Sequence, residues 1–162
     1  MDRGFNIIRA EASKRGGESK RVFDELIKFI KYYTGIEESF YFYPLAPLKK
    51  GIPVRVYDLD KIYKEKESIA ALENVLNVCG IEKAMLFQMQ AHALELNEVD
   101  LKKLIYEKDG EEYNFPWMEE AFYFDNIKNW LMYVSHEGTI TFAGEKLVKT
   151  AEEFIDEKYK AM

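Results

Sequence analysis

The chain has 162 residues and a formal net charge of −6, and 48% of it is apolar, which favours one acidic globular domain over a disordered chain. A single cysteine excludes an internal disulfide. The first residues lack a signal-peptide pattern and no apolar run is long enough to span a membrane, so the sequence predicts a cytoplasmic protein without membrane contact.

The first predicted element is an amphipathic helix. Residues 1–17 are weakly patterned and end in a glycine-rich loop. From Ser19, a candidate N-cap, apolar residues recur at three- and four-residue steps as far as Tyr33. Gly35 supplies the left-handed residue that ends such a helix.

Two short strands and a second helix are expected next. The aromatic run 40–43 predicts a strand that leads into a proline-rich loop, and residues 54–57 alternate like an edge strand. The helix is clearest over residues 69–79. Its start is left open, because Asp58 and Ser68 each precede a helical pattern.

The second half of the chain is dominated by predicted strands. Residues 85–94 alternate along one long strand with one apolar face. Residues 101–105 are spaced as a short helix, although a hairpin through 109–110 is an open alternative.

Three strands and a closing helix complete the sequence. The strands are expected at 121–124, 130–134 and 139–142, and Trp130 is expected in the core. Gly144 ends the last strand, and residues 147–155 form one buried helical face. The order of elements predicts a single α+β domain over 1–162, with a mostly antiparallel sheet packed by two helices of the N-terminal half and a C-terminal helix.

Polar residues near the predicted strands give one candidate site. Ser135-His136-Glu137 contains the residue types of a hydrolase triad, but strand alternation points neighbouring side chains to opposite faces. A hairpin held by polar side chains is therefore the preferred interpretation. The alternative is a small hydrolase or ligand-binding pocket on the sheet face, lined by His92, Tyr133, His136 and Glu137.

Signals for a metal or a cofactor are lacking. The position at which a second zinc-binding histidine would follow His136 is Ile140, and two histidines and one cysteine offer few ligands. The glycines at 16 and 17 do not have the spacing of a phosphate-binding loop. We therefore expect neither a metal nor a cofactor.

Charge is divided unevenly along the chain. Residues 1–66 hold 14 Lys/Arg against 10 Asp/Glu (+4), and residues 67–162 hold 9 against 19 (−10). The acidic residues are densest over 107–125, a stretch named here the acidic segment, which also carries the proline-preceded Trp117. It is either a solvated surface or a docking face for a basic protein. The candidate contact residues of that face are Glu111, Glu112, Trp117, Glu119, Glu120 and Asp125.

One stretch resembles a known group of proteins. Residues 130–144, with Trp130-Leu131-Met132-Tyr133-Val134-Ser135-His136-Glu137 followed by Ile140 to Gly144, are similar to bacterial toxin-immunity proteins of the SMI1-type superfamily and to uncharacterised bacterial proteins. The resemblance implies a non-catalytic protein that binds and neutralises a partner. The leading hypothesis is accordingly a cytoplasmic protein-binding domain that presents an acidic face to a basic partner and does not bind nucleic acid.

Overall fold

The structure is a computed structural model that describes Lys14 and residues 17–36, 41–49, 53–90, 93–109, 112–113, 120–125 and 129–162. The helices in this part of the chain are α1 (Gly17–Thr34), α2 (Leu59–Lys64), α3 (Lys66–Cys79), α4 (Leu101–Leu104) and α5 (Glu145–Phe154), followed by a 3-10 turn at Glu157–Tyr159. The strands are β1 (Val54–Asp58), β2 (Lys83–Gln90), β3 (Ala93–Asp100), β4 (Lys108–Asp109), β5 (Glu112–Tyr113), β6 (Ala121–Phe124), β7 (Leu131–Ser135) and β8 (Thr139–Ala143).

Six of the strands form one antiparallel sheet in the order β1-β8-β7-β6-β2-β3. β4 and β5 pair separately as a two-residue ladder. Helices and an antiparallel sheet in one chain confirm the predicted α+β class, and the order puts β7 in the interior with β1 and β3 at the edges.

Helix α1 covers one face of the sheet with aromatic and aliphatic side chains. Its buried stripe follows the predicted spacing and packs with Phe42 against residues of β2, β6 and β7. Phe122 and Tyr133, on adjacent strands, lie with ring centroids 4.6 Å apart. Gly35 follows the helix with a φ of 77°, which confirms the predicted stop.

The opposite face is covered by α2, α3, α4 and α5, whose apolar side chains form a second cluster with the strands. Trp130 belongs to this cluster and is buried, as predicted. Cys79, the single cysteine of the chain, is half-buried against the same cluster. Apolar side chains thus cover the sheet on both sides.

Side-chain caps explain where the helices begin. The Asp58 carboxylate accepts a hydrogen bond from the backbone N–H of Lys61 at 2.9 Å, and Asp100 does the same for Lys103 at 3.1 Å. Glu65 is extended and separates α2 from α3. Asp58 is therefore confirmed as the cap of α2, whereas α3 begins at Lys66, two residues before the alternative start at Ser68.

Two strand predictions are wrong and one ambiguity is resolved. The long strand over 85–94 is a hairpin, because β2 ends at Gln90 and β3 pairs back along it from Ala93. Residues 41–42 form no strand and Tyr43 begins a turn, with Phe42 fully buried against α1, while Phe40 lies outside the described residues. Residues 101–105 begin with the predicted short helix, and the β4–β5 hairpin follows it, so both alternatives occur in succession.

The C-terminal residues return to the free edge of β1. The backbone N–H of Ala161 donates to the carbonyl of Val56 at 2.9 Å, and Lys160 forms a bridge with Tyr57. The Tyr159 hydroxyl and the Lys158 ammonium both donate to Glu65, which lowers the pKa of that carboxyl.

Among the described residues, no helix combines the length and apolar character needed to cross a membrane.

Gly144 provides a test of this packing. Its φ is 111°, and a Cβ atom there would lie 2.5 Å from the carbonyl oxygen of Asn129 and 3.0 Å from the Cα of Trp130. We expect Gly144→Ala to lower the free energy of unfolding by about 3 kcal/mol or more, since both conformation and space oppose a side chain.

Gly80→Ala is the matched control for this change. Gly80 also has a positive φ, of 71°, but an added Cβ would meet nothing within 4 Å. The cost there is therefore the backbone conformation alone, about 1 kcal/mol. Urea unfolding of both variants measures the difference, and equal losses of stability would contradict the proposed close contact at Gly144.

Candidate functional site

Polar side chains meet at the end of the sheet where β6 begins and β7 ends. The register pairs Ala121 of β6 with Val134 of β7, which brings Glu120 opposite the Ser135-His136 step. Glu120 has a φ of 43°, an uncommon conformation for a residue other than glycine. The strand register and this backbone conformation together define the position of the Glu120 side chain.

The centre of the site is a carboxylate–imidazole pair. The Glu120 carboxylate pairs with Nδ1 of His136 and also accepts a hydrogen bond from the His136 backbone N–H. Glu120 is 3% exposed, whereas the side chain of His136 is 57% exposed. The imidazole is therefore the outer group of the pair and the carboxylate is the inner one.

Burial raises the pKa of the Glu120 carboxyl above its ordinary value. The hydrogen bonds and the charge of His136 act in the opposite direction, and the nearby Glu137 carboxylate adds to the rise. Since burial is the largest of these effects, the folded protein holds the Glu120 proton more tightly than the unfolded chain does.

Among the described residues, two buried side-chain atoms have no hydrogen-bond partner. They are Oε2 of Glu120 and the hydroxyl of Tyr133. Tyr133 is fully buried in the layer under α1, in contact with the rings of Phe42 and Phe122. Such unpaired atoms each cost about 1–3 kcal/mol, so stability does not explain their presence. They are the strongest indication of a function in the described part of the chain.

The Ser135-His136-Glu137 tripeptide forms a hairpin turn, as the sequence analysis preferred. The hydroxyls of Ser135 and Thr139 are 2.8 Å apart, and the Ser135 hydroxyl also accepts from the backbone N–H of Glu137 at 3.2 Å. The backbone N–H of Gly138 donates to the Ser135 carbonyl. The serine thus holds the turn, and the carboxylate that pairs with the imidazole comes from Glu120 instead of Glu137.

The structure describes three of the four residues predicted to line a pocket. Tyr133 is the central residue of β7, His136 and Glu137 are exposed in the turn that follows this strand, and His92 lies outside the described residues. Glu120 is the member that the pocket hypothesis missed. It is 16 residues away from His136 in sequence, and only the pairing of β6 with β7 brings the two together.

The predicted acidic face is described at only a few positions. Glu111, Trp117 and Glu119 lie outside the described residues, and for Glu112 only the backbone, in β5, is described. Asp125 is half-buried, with its carboxylate accepting from the backbone N–H of Asn129 at 3.2 Å. Glu120 is buried under His136, so it does not present its charge on an open face.

No group of three or more His, Cys, Asp or Glu side chains in the described ranges has a geometry that could hold a metal ion. What the site offers is a buried carboxyl group of Glu120 with one oxygen that has no hydrogen-bond partner among the described residues, under the exposed imidazole of His136. These groups can accept hydrogen bonds from a cation or another donor, or exchange a proton.

The buried carboxylate predicts a pH-dependent stability. A carboxyl with a raised folded-state pKa stabilises the fold below its unfolded pKa, near the ordinary value of 4.5, and this stabilisation is lost as the pH rises through the folded pKa. We expect Glu120→Gln to raise the free energy of unfolding at neutral pH by roughly 1–3 kcal/mol, an advantage that shrinks on acidification. Thermal unfolding of both proteins across this pH range measures it.

Glu153→Gln serves as the control, because Glu153 is exposed on α5 and its loss changes the net charge equally. That variant should unfold like the parent at every pH. A Glu120→Gln protein less stable than the parent at neutral pH would show that the Glu120 charge is net stabilising and contradict this account.

The unpaired Tyr133 hydroxyl makes a second prediction. Tyr133→Phe removes a buried group without a hydrogen bond, so we expect a gain of about 1 kcal/mol in unfolding free energy. Tyr63→Phe is the opposite case, because the Tyr63 hydroxyl donates to the carbonyl of Ile105 at 2.9 Å. Removing this hydrogen bond should lower the unfolding free energy by about 1 kcal/mol. Chemical denaturation of the two variants compares them, and destabilisation by Tyr133→Phe would argue against an unpaired hydroxyl.

Comparisons with known proteins were made at three levels. No protein-family model, curated protein or solved structure matches the chain. The similarity of residues 130–144 to the SMI1-type superfamily therefore stays a prediction from sequence. The function has to be argued from the geometry of the chain itself.

Proposed function

We propose that the protein is a non-catalytic binding domain that receives a basic protein partner at the end of the sheet where Glu120 and His136 lie. The observation that carries the proposal is the unpaired, buried Oε2 of Glu120. A native protein retains such a destabilising group where a bound partner satisfies it.

The charge of the chain supports a basic partner. Residues 67–162 carry a net charge of −10, and Glu120 lies near the C-terminal end of the acidic segment at 107–125. A field of one sign increases the rate at which oppositely charged proteins meet. The acidic segment would then attract the partner, and Glu120 would contact it after docking.

The chemistry of the site suits a lysine or arginine side chain of the partner. Such a cation can donate a charge-assisted hydrogen bond to Oε2 of Glu120 and counter the burial that raises the pKa of this carboxyl. His136 is the exposed outer group, so a change of its rotamer gives access to the carboxylate.

The resemblance of residues 130–144 suggests a more specific role for this binding domain, that of an immunity protein. An acidic protein that neutralises a basic bacterial toxin would need a surface of this charge. The described residues also give less support to a hydrolase, since the Ser135 hydroxyl is hydrogen-bonded to Thr139 and the Glu137 backbone within the turn.

A defined probe tests the proposal. Fluorescence anisotropy measures binding of a labelled peptide of alternating arginine and glycine, with a glutamate–glycine peptide as the negative probe. We expect binding of the arginine peptide alone, weakened by salt. Glu120→Gln should weaken it by about tenfold, the value of one charge-assisted hydrogen bond. The triple change Glu111→Lys, Glu112→Lys and Glu119→Lys should abolish it.

The matched control is again Glu153→Gln, which removes one negative charge from α5. If it weakens binding as much as Glu120→Gln does, only net charge matters and the Glu120 site is not the contact. If the triple variant binds like the parent, the acidic segment does not attract the partner. The thermal unfolding of each variant shows that a loss of binding is not a loss of fold.

A further inference from the structure

A cavity lies at the other end of β6 and β7, far from Glu120. Its volume is about 370 Å³, and it opens to solvent between the C-terminal end of α3, the first residues of β2 and the first turn of α5. Cavities of about 300–1,000 Å³ are the usual size for small-molecule sites in proteins.

The inner wall of this cavity is apolar and firmly packed. Ile81, Trp130 and Leu147 line it, and all three are buried members of the core cluster on this side of the sheet. Gly144, packed against the Asn129 carbonyl, holds the first turn of α5 next to Trp130. A ligand would therefore meet a preformed surface that suits a flat apolar group.

The rim of the cavity carries more positive than negative groups. Lys83 and Lys146 both line it, against one carboxylate, that of Asp125. The Asp125 carboxylate is hydrogen-bonded to the backbone N–H of Asn129, and the Lys83 ammonium lies 3.2 Å from Glu98 on the neighbouring strand. Two ammonium groups at the mouth of an apolar cavity favour an anion with an apolar body.

We propose that this cavity binds a small organic anion, with its carboxylate or phosphate group between Lys83 and Lys146 and its apolar body against Ile81, Trp130 and Leu147. The site is separate from the end of the sheet where Glu120 lies. It does not depend on the proposed binding of a basic partner.

Cys79 allows a direct test, because it lines the cavity, is half-buried and is the single cysteine of the chain. Mass spectrometry follows its alkylation by iodoacetamide in the presence of phenyl phosphate, benzoate, inorganic phosphate or benzylamine. We expect saturable protection by phenyl phosphate or benzoate, and which of the two protects better identifies the head group. Inorganic phosphate should protect less, since it lacks the apolar body, and benzylamine should not protect.

Lys146→Glu and Lys149→Glu are the matched variants. Both residues are exposed on α5, but only Lys146 lines the cavity. Lys146→Glu should weaken protection by about tenfold and Lys149→Glu should leave it unchanged, with circular dichroism showing that both are folded. The proposal is overturned if no aryl anion protects, if benzylamine protects equally, or if folded Lys146→Glu binds like the parent.

Discussion

Strand β7 is buried on both faces along its whole length, and the layers of the fold follow from this constraint. A five-residue strand without a solvent-facing side needs apolar cover above and below. α1 supplies the cover on one side with aromatic contacts, and α2 to α5 supply it on the other with aliphatic ones. Glu120 and the cavity beside Trp130 lie at opposite ends of the β6–β7 pair.

The charged groups at the two ends of β6 and β7 lie in different environments. At one end a carboxylate is buried under an imidazole with one oxygen unpaired, which stores unfavourable free energy in the folded state. At the other end the ammonium groups of Lys83 and Lys146 stand at the rim of an open cavity, and that of Lys83 also lies 3.2 Å from the Glu98 carboxylate. The buried Glu120 carboxyl therefore lowers the stability of the fold, whereas the exposed lysines at the cavity rim do so much less. Of the two features, the buried carboxyl is the one that folding alone does not explain.

The sequence predicted the class of fold and most elements, because their signals are local. The stripe of α1, the stop at Gly35 and the core position of Trp130 follow from spacing and residue type. The β2–β3 hairpin was missed because its residues keep alternating through the turn, so periodicity alone does not reveal the reversal. The Glu120–His136 pair could not be predicted, since it depends on the register of β6 against β7 and on a positive φ at Glu120. Periodicity does not predict the cavity either, because the ends of five elements, α3, β2, β6, β7 and α5, form it.

The return of the C-terminal residues to β1 makes the two edges of the sheet unequal. Lys160 and Ala161 already occupy hydrogen-bonding groups on the outer side of β1, so a strand from another molecule would have to displace them. β3 forms the opposite edge, and beyond it the described part of the chain supplies no further strand of this sheet. Edge-to-edge association of copies, the usual hazard of an antiparallel sheet, is therefore directed to β3. The last few residues of the chain act as a cap that makes strand addition one-sided.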